Sequence, residues 1–112
     1  EQLILDNASD FVQPDAPRVG GITPFLQITD LAARHGRKLA PHFAMEIHIH
    51  LAAAYPIEPW LEHFEWLNPL FNEQLELRDG RMLISDRHGL GFSLSEQARR
   101  WTTLTHSVGK RP

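Results

Sequence analysis

The sequence predicts an α/β chain made of two parallel βα units that form part of a larger sheet. Three observations lead there. Two short apolar runs, "DFVQPD" and "KLAPH", each end in a proline followed by a polar residue. Each run is followed by residues at helical spacing, giving the order strand–helix–strand–helix that builds parallel sheets. Two parallel strands alone leave open edges and uncovered faces, so the units call for neighbouring strands. Closing an eight-stranded barrel takes about 250 residues, and this chain has 112.

The elements follow in order. Leu3 and Ile4 form the tail of an amphipathic helix running into "NASD". Phe11 to Gln13 form a short buried strand, stopped by Pro14. "PDAPRVGGI" reads as a loop, with two prolines and the Gly20–Gly21 pair demanding special backbone angles. Thr23 and Pro24 supply an N-cap hydroxyl and a proline at the first helical position. Phe25, Ile28, Leu31 and Ala32 then recur at helical spacing, Asp30 and Arg34 pair on the wet face, and Gly36 ends the helix in a left-handed cap. Leu39 and Ala40 make the next strand. The run "FAMEIHIHLAAAY" alternates like a strand at first and then favours helix. A parallel βα unit needs a helix there, and Pro56 ends it.

Beyond Pro56 the character changes. "IEPWLEHFEWLNPLF" is dense in aromatics and prolines and reads as an irregular segment, with Trp60, Phe64 and Trp66 as core or interface packing. "QLELRDGRMLI" is a hairpin: Leu75 and Leu77 alternate, Asp79–Gly80 turns, and Met82 and Ile84 return. "RHGLGFSLSEQARRW" ends in a short helix capped by Ser93 or Ser95, and "THSVGKRP" reads as frayed. The division is residues 1–56 for the two βα units and 57–112 for the C-terminal segment.

Composition narrows the function. Net charge is −3, from 11 basic and 14 acidic residues, with no basic stripe, which argues against nucleic acid as a partner. Zero cysteines exclude disulfides, thiolate metal sites and cysteine nucleophiles, in keeping with a cytoplasmic protein. No apolar stretch reaches the about 20 residues that span a bilayer, so no membrane association is expected. The N-terminus has no signal-peptide pattern, lacks an initiator Met and starts within a helical-looking segment, so a preceding N-terminal part is expected.

The chemistry lies at the strand ends. Asp15 and His42 stand 27 positions apart (42 − 15), and Glu62 follows 20 further on (62 − 42). Polar, proton-handling residues at the carboxyl ends of successive parallel strands are where barrel active sites lie. An Asp beside a His fixes the ring's tautomer and makes it a tunable proton donor or acceptor. Pro-Asp-x-Pro is also good turn chemistry in its own right, and an acid among Glu58 and Glu65 is ordinarily solvated. Glu46, His48 and His50 resemble a metal set. On a helix only Glu46 and His50 share a face, short of the four ligands of a structural zinc site, so they read as polar residues on an outer helix and no metal ligand is assigned.

The run "VQPDAPRVGGITPFLQITDLAARHGRKLAPHFAMEIHIHLAAAYP" resembles the mandelate-racemase branch of the enolase superfamily, whose seventh barrel strand ends in a "PD…GG" loop and whose eighth ends in His. The likeness continues through "PWLEHFEWLNPLFNEQLELRDGRMLISDRHGLGFSL", similar to the segment that packs back beneath the barrel toward the capping domain. The resemblance implies the C-terminal fragment of a (β/α)7β TIM-type barrel, its last two βα units plus a segment with a β-hairpin. Within the branch the likeness is to Mg²⁺-dependent dehydratases of six-carbon acid sugars; another sugar-acid dehydratase or a racemase shares the same frame. It implies His42 as the catalytic acid/base, Asp15 as its dyad partner and Glu62 as a group that binds the substrate carboxylate. The family's metal ligands and lysine base fall upstream of residue 1, so the fragment alone should be inactive; the complete protein is expected to be a homo-oligomer. A rival from another class is a non-catalytic module that completes another chain's sheet.

Overall fold

The computed structural model describes residues 1–106 and 109. A single helical turn, α1 (Gln2–Leu5), precedes strand β1 (Phe11–Val12). The short helix α2 (Ala16–Val19) and the long helix α3 (Ile22–Arg34) lead to strand β2 (Lys38–Leu39). β1 and β2 pair in parallel, and helix α4 (Met45–Ala53) completes the second βα unit. The strand–helix–strand–helix order is therefore as expected.

Three local readings need correction. "PDAPRVGGI" is more than a loop: Pro17 falls in the first turn of α2, where the missing N–H is no loss, and Gly20 (φ 98°) caps the turn left-handed. Helix α3 starts earlier than Thr23; its N-cap is Gly21, with no side-chain cap. Pro24 is tolerated because the helix's first intrahelical bond, Phe25 N–H to Gly21 O at 3.2 Å, lies one residue beyond it. β1 is half open, with Phe11 38% exposed, since β2 is its one partner among the described residues. The Lys38 ammonium covers the Phe11 ring at 5.2 Å.

Gly36 behaves as its sequence position demands. With φ 64° it lets Arg37 N–H reach Ala32 O at 2.9 Å and its own N–H reach Ala33 O at 3.0 Å, the paired bonds of a left-handed helix stop. Phe25 and Ala32 turn inward from α3 and meet Leu39 of β2 and Ala52 of α4, all fully or nearly fully buried. Removing a ring the size of Phe25 from water contributes roughly 2–3 kcal/mol. Tyr55 closes this core by donating its hydroxyl to Arg37 O at 2.5 Å, and burial pushes its phenol pKa up.

The ambiguous run settles as helix because its apolar positions fit that period: Met45, His48, Ile49 and Ala52 face inward at spacing i, i+3, i+4, i+7. The chain leaves the helix at Ala54, ahead of Pro56. Residues 57–67 run without regular structure, anchored by Trp60 N–H on Leu39 O at 2.8 Å. Trp60 and Trp66 are 66% and 71% exposed, so neither belongs to the core of this chain.

The hairpin forms as expected, with β3 (Glu76–Arg78) antiparallel to β4 (Arg81–Leu83). Asp79 and Gly80 both take positive φ, the geometry a two-residue turn requires. Of the two candidate caps for helix α5 (Glu96–Trp101), Ser95 is the one used: its Oγ accepts Ala98 N–H at 3.0 Å. Ser93 instead donates its N–H to Glu73 Oε2 at 2.6 Å. The frayed end expected over 105–112 lies largely outside the described residues.

Candidate active site at the strand ends

The spacing of 27 is the register of the parallel pair. Phe11 lies opposite Lys38 and Val12 opposite Leu39. Lys38, Ala40 and His42 donate their N–H groups in turn to Asp10 O, Val12 O and Pro14 O at 2.9, 3.0 and 3.0 Å. The same offset carried to the strand ends sets Asp15 beside His42. Equivalent residues of neighbouring parallel strands point to the same side, so the two side chains meet.

They meet at 3.0 Å, His42 Nδ1 to Asp15 Oδ2. The Asp15 side chain is 8% exposed and that of His42 44% exposed, so the carboxylate supports the ring from beneath while the ring reaches solvent. Asp15 occupies the N-cap position of α2 but makes no capping hydrogen bond, which leaves the carboxylate for the imidazole. An Asp oxygen on Nδ1 holds the proton there, and Nε2 becomes the nitrogen that exchanges protons. The exposed Arg18 approaches the same Oδ2, its Nε at 3.4 Å. Asp15 Oδ1 is buried and has no partner among the described residues.

The backbone after His42 is strained. Phe43 (φ 56°) and Ala44 (φ 41°) are successive non-glycine residues in the left-handed region. Each costs on the order of 1–2 kcal/mol, and such strain persists only where the surroundings enforce it. Glu62 is one enforcer: its Oε2 accepts Phe43 N–H at 2.6 Å. Ala44 O is another point of attachment, accepting the first helical bond of α4 from His48 N–H at 2.9 Å. The Phe43 ring packs on Phe64 and Trp66, with centroids at 6.1 and 6.3 Å, and those two rings stack at 4.7 Å. Of the three residues singled out in the sequence, Asp15 thus holds the His42 ring and Glu62 holds the backbone of the next residue, Phe43.

Two residues that read as polar positions on an outer helix are in fact buried. Glu46 and His48 are not on an outer face; they are 5% and 0% exposed. His48 Nε2 accepts Ala16 N–H at 2.9 Å, and Nδ1 donates to Phe43 O. The signal for its burial was present in the sequence, since His48 falls on the inward stripe of Met45, Ile49 and Ala52. His50 is half-buried, its Nε2 bonding Leu90 O at 3.0 Å. Among the described residues no group of three or more His, Asp or Glu could hold a metal ion.

Residues 1–98 match the family described as enolase C-terminal domain-like. This chain belongs to that family. Over all 112 residues it is 87% identical to the L-talarate/galactarate dehydratase of Salmonella typhimurium LT2. It spans 28% of that relative's length. The crystal structure of that dehydratase with Mg and L-lyxarohydroxamate superposes with a TM-score of 0.92 at 86% identity, over 99% of this chain and 28% of the other. The L-talarate dehydratase of Polaromonas sp. JS666, complexed with Mg and L-glucarate, gives a TM-score of 0.91 at 64% identity, over 98% of this chain and 31% of the other. The fold class is accordingly the α/β barrel of the enolase superfamily, of which this chain holds two βα units and the hairpin-bearing segment. No helix among the described residues is long and apolar enough to cross a membrane.

Proposed function

We propose that this chain works as the C-terminal part of a Mg²⁺-dependent acid-sugar dehydratase of the talarate/galactarate type. Residues 1–56 supply the last two βα units of its barrel, and 57–112 pack on the barrel and the capping domain. The single observation that carries the reading is the 3.0 Å contact of His42 Nδ1 with Asp15 Oδ2 at adjacent parallel strand ends, in a chain 87% identical to such an enzyme.

In this reading the C–H bond alpha to a substrate carboxylate breaks and its electron pair moves into the carboxylate as an enediolate. Collapse of the enediolate expels the 3-hydroxyl, which leaves as water after gaining a proton. His42 Nε2 is the site on this chain that takes or delivers a proton, and Asp15 holds the ring for it. Glu62, with Oε2 engaged by Phe43 N–H, offers Oε1 to the substrate carboxylate; donating to it requires a proton on that oxygen. Mg²⁺ supplies charge stabilisation in such chemistry; its ligands belong to residues outside this chain, and the 112 residues alone are inactive. The complete protein is a cytoplasmic homo-oligomer that takes acid sugars.

The experiment is product analysis of the complete protein on galactarate with Mg²⁺. Release of water with formation of the deoxy keto diacid is expected. Recovery of only unreacted or epimerised diacid overturns the dehydratase reading in favour of a racemase or an unrelated role.

A further inference from the structure

We propose that His48 is a positioning residue that holds the Asp15–His42 pair in register beyond the end of the sheet. The backbone ladder between the two strands ends at His42 N–H on Pro14 O. Past that point the chain turns into α2 on one side and into the strained Phe43–Ala44 step on the other. His48 is the next link across. Its Nε2 takes the N–H of Ala16, the residue directly after Asp15, and its Nδ1–H binds the carbonyl of Phe43, directly after His42.

The ring is suited to this. It is fully buried, so water competes for neither bond. Accepting at Nε2 and donating at Nδ1 define one neutral tautomer, assigned by the two backbone partners. Phe25 of α3 stacks on it at 5.3 Å with an 18° interplanar angle, which fixes the ring plane. Each bond meets a local need. Ala16 N–H opens a helix and has no intrahelical acceptor, and Phe43 O sits on a residue whose left-handed backbone relaxes if released. One imidazole thus sets the separation of the two loops, and the separation of the loops sets the contact between Asp15 and His42. His48 has no hydrogen bond to Asp15 or His42 and acts only through their neighbours.

The test compares His48→Leu in the complete protein with His48→Asn, which keeps the donor to Phe43 O, and His48→Gln, which keeps the acceptor for Ala16 N–H. In a crystal structure of His48→Leu, Nδ1 to Oδ2 is expected to open from 3.0 Å to beyond hydrogen-bonding range, roughly 3.5 Å or more. Turnover per folded site should fall about 100-fold with KM nearly unchanged, as misplacement of about 1 Å costs that much. Asn and Gln should each recover about tenfold of the loss, since each restores one of the two bonds. A His48→Leu protein that melts earlier but keeps the parent separation and turnover overturns the proposal, because His48 would then only fill space. Should His48→Leu fail to fold, His48→Phe decides by the same readouts, since it keeps the stack on Phe25 and removes both bonds. The kinetic arm rests on the dehydratase reading and the crystallographic arm does not. An opened pair in a protein that does not dehydrate the diacid would retain the positioning role and discard the function.

Discussion

Replacing Asp15 by Asn separates the orienting charge from the proton carrier. The carboxylate bonds His42 Nδ1 at 3.0 Å. A hydrogen bond to a charged group contributes about 1.5–3 kcal/mol, against about 0.5–1.5 for a neutral one. If the Asn oxygen takes the place of Oδ2, the loss is the difference, about 1–1.5 kcal/mol, or roughly tenfold at 1.4 kcal/mol per decade. If the amide turns its NH₂ toward the ring, Nδ1 must accept, the proton moves to Nε2, and the base is disabled. Nothing among the described residues bonds Oδ1, so nothing holds the amide in the productive orientation. Loss of the right tautomer costs about 10⁴-fold in a Ser-His-Asp triad, which sets the upper bound. A turnover about 100-fold below the parent is expected for Asp15→Asn, measured as kcat of the complete protein on galactarate. His42→Asn, which removes the proton carrier itself, should leave no measurable turnover and an almost unchanged melting temperature, since that side chain is 44% exposed. Loss from Asp15→Asn equal to or greater than that from His42→Asn would refute the assignment of roles, as would retained turnover in His42→Asn.

Gly80→Ala should destabilise the hairpin by about 1–2 kcal/mol, the cost of an L side chain in the left-handed region. A Cβ there meets nothing within 4 Å, so the penalty is conformational, and amide exchange of the 76–83 hairpin should quicken while the rest of the molecule is unaffected. Glu73 carries a pH signature. The Ser93 N–H bonded to its carboxylate holds its pKa below the ordinary carboxylate value. Its folded pKa being the lower, the unfolded chain takes up the proton first as pH falls. The stability it contributes is therefore present above about pH 4.3 and lost below, through the depressed value. A comparison of denaturation midpoints for the parent and Glu73→Gln should show a gap near neutral pH that closes on acidification; a gap that widens would contradict the bond.

Much of this site is legible in the sequence. The 27-residue interval between Asp15 and His42 is a chain property that became a register, because two parallel strands joined by one helix align with a fixed offset. Gly36, Asp79–Gly80 and Ser95 were equally plain, since turns and caps depend on backbone angles and hydroxyls within a few residues. The choice of helix for Met45–Ala53 rested on topology, and the inward stripe explains it. Other features were beyond local reading. Phe43 and Ala44 carry no left-handed preference; they are bent by Glu62 and His48, which lie 19 and 5 residues away in sequence. That Trp60 and Trp66 stand outside the core of this chain is encoded by no periodicity. By itself the sequence determined the strand–helix–strand–helix order and the juxtaposition of Asp15 with His42, which follow from short-range pattern and constant strand offset, and its resemblance to known sequences gave the family. Only the tertiary structure decided that His48 joins the two loops and that Glu62 clamps the one after His42. A hydrogen-bond partner is set by which elements abut, and that is a property of the packed chain.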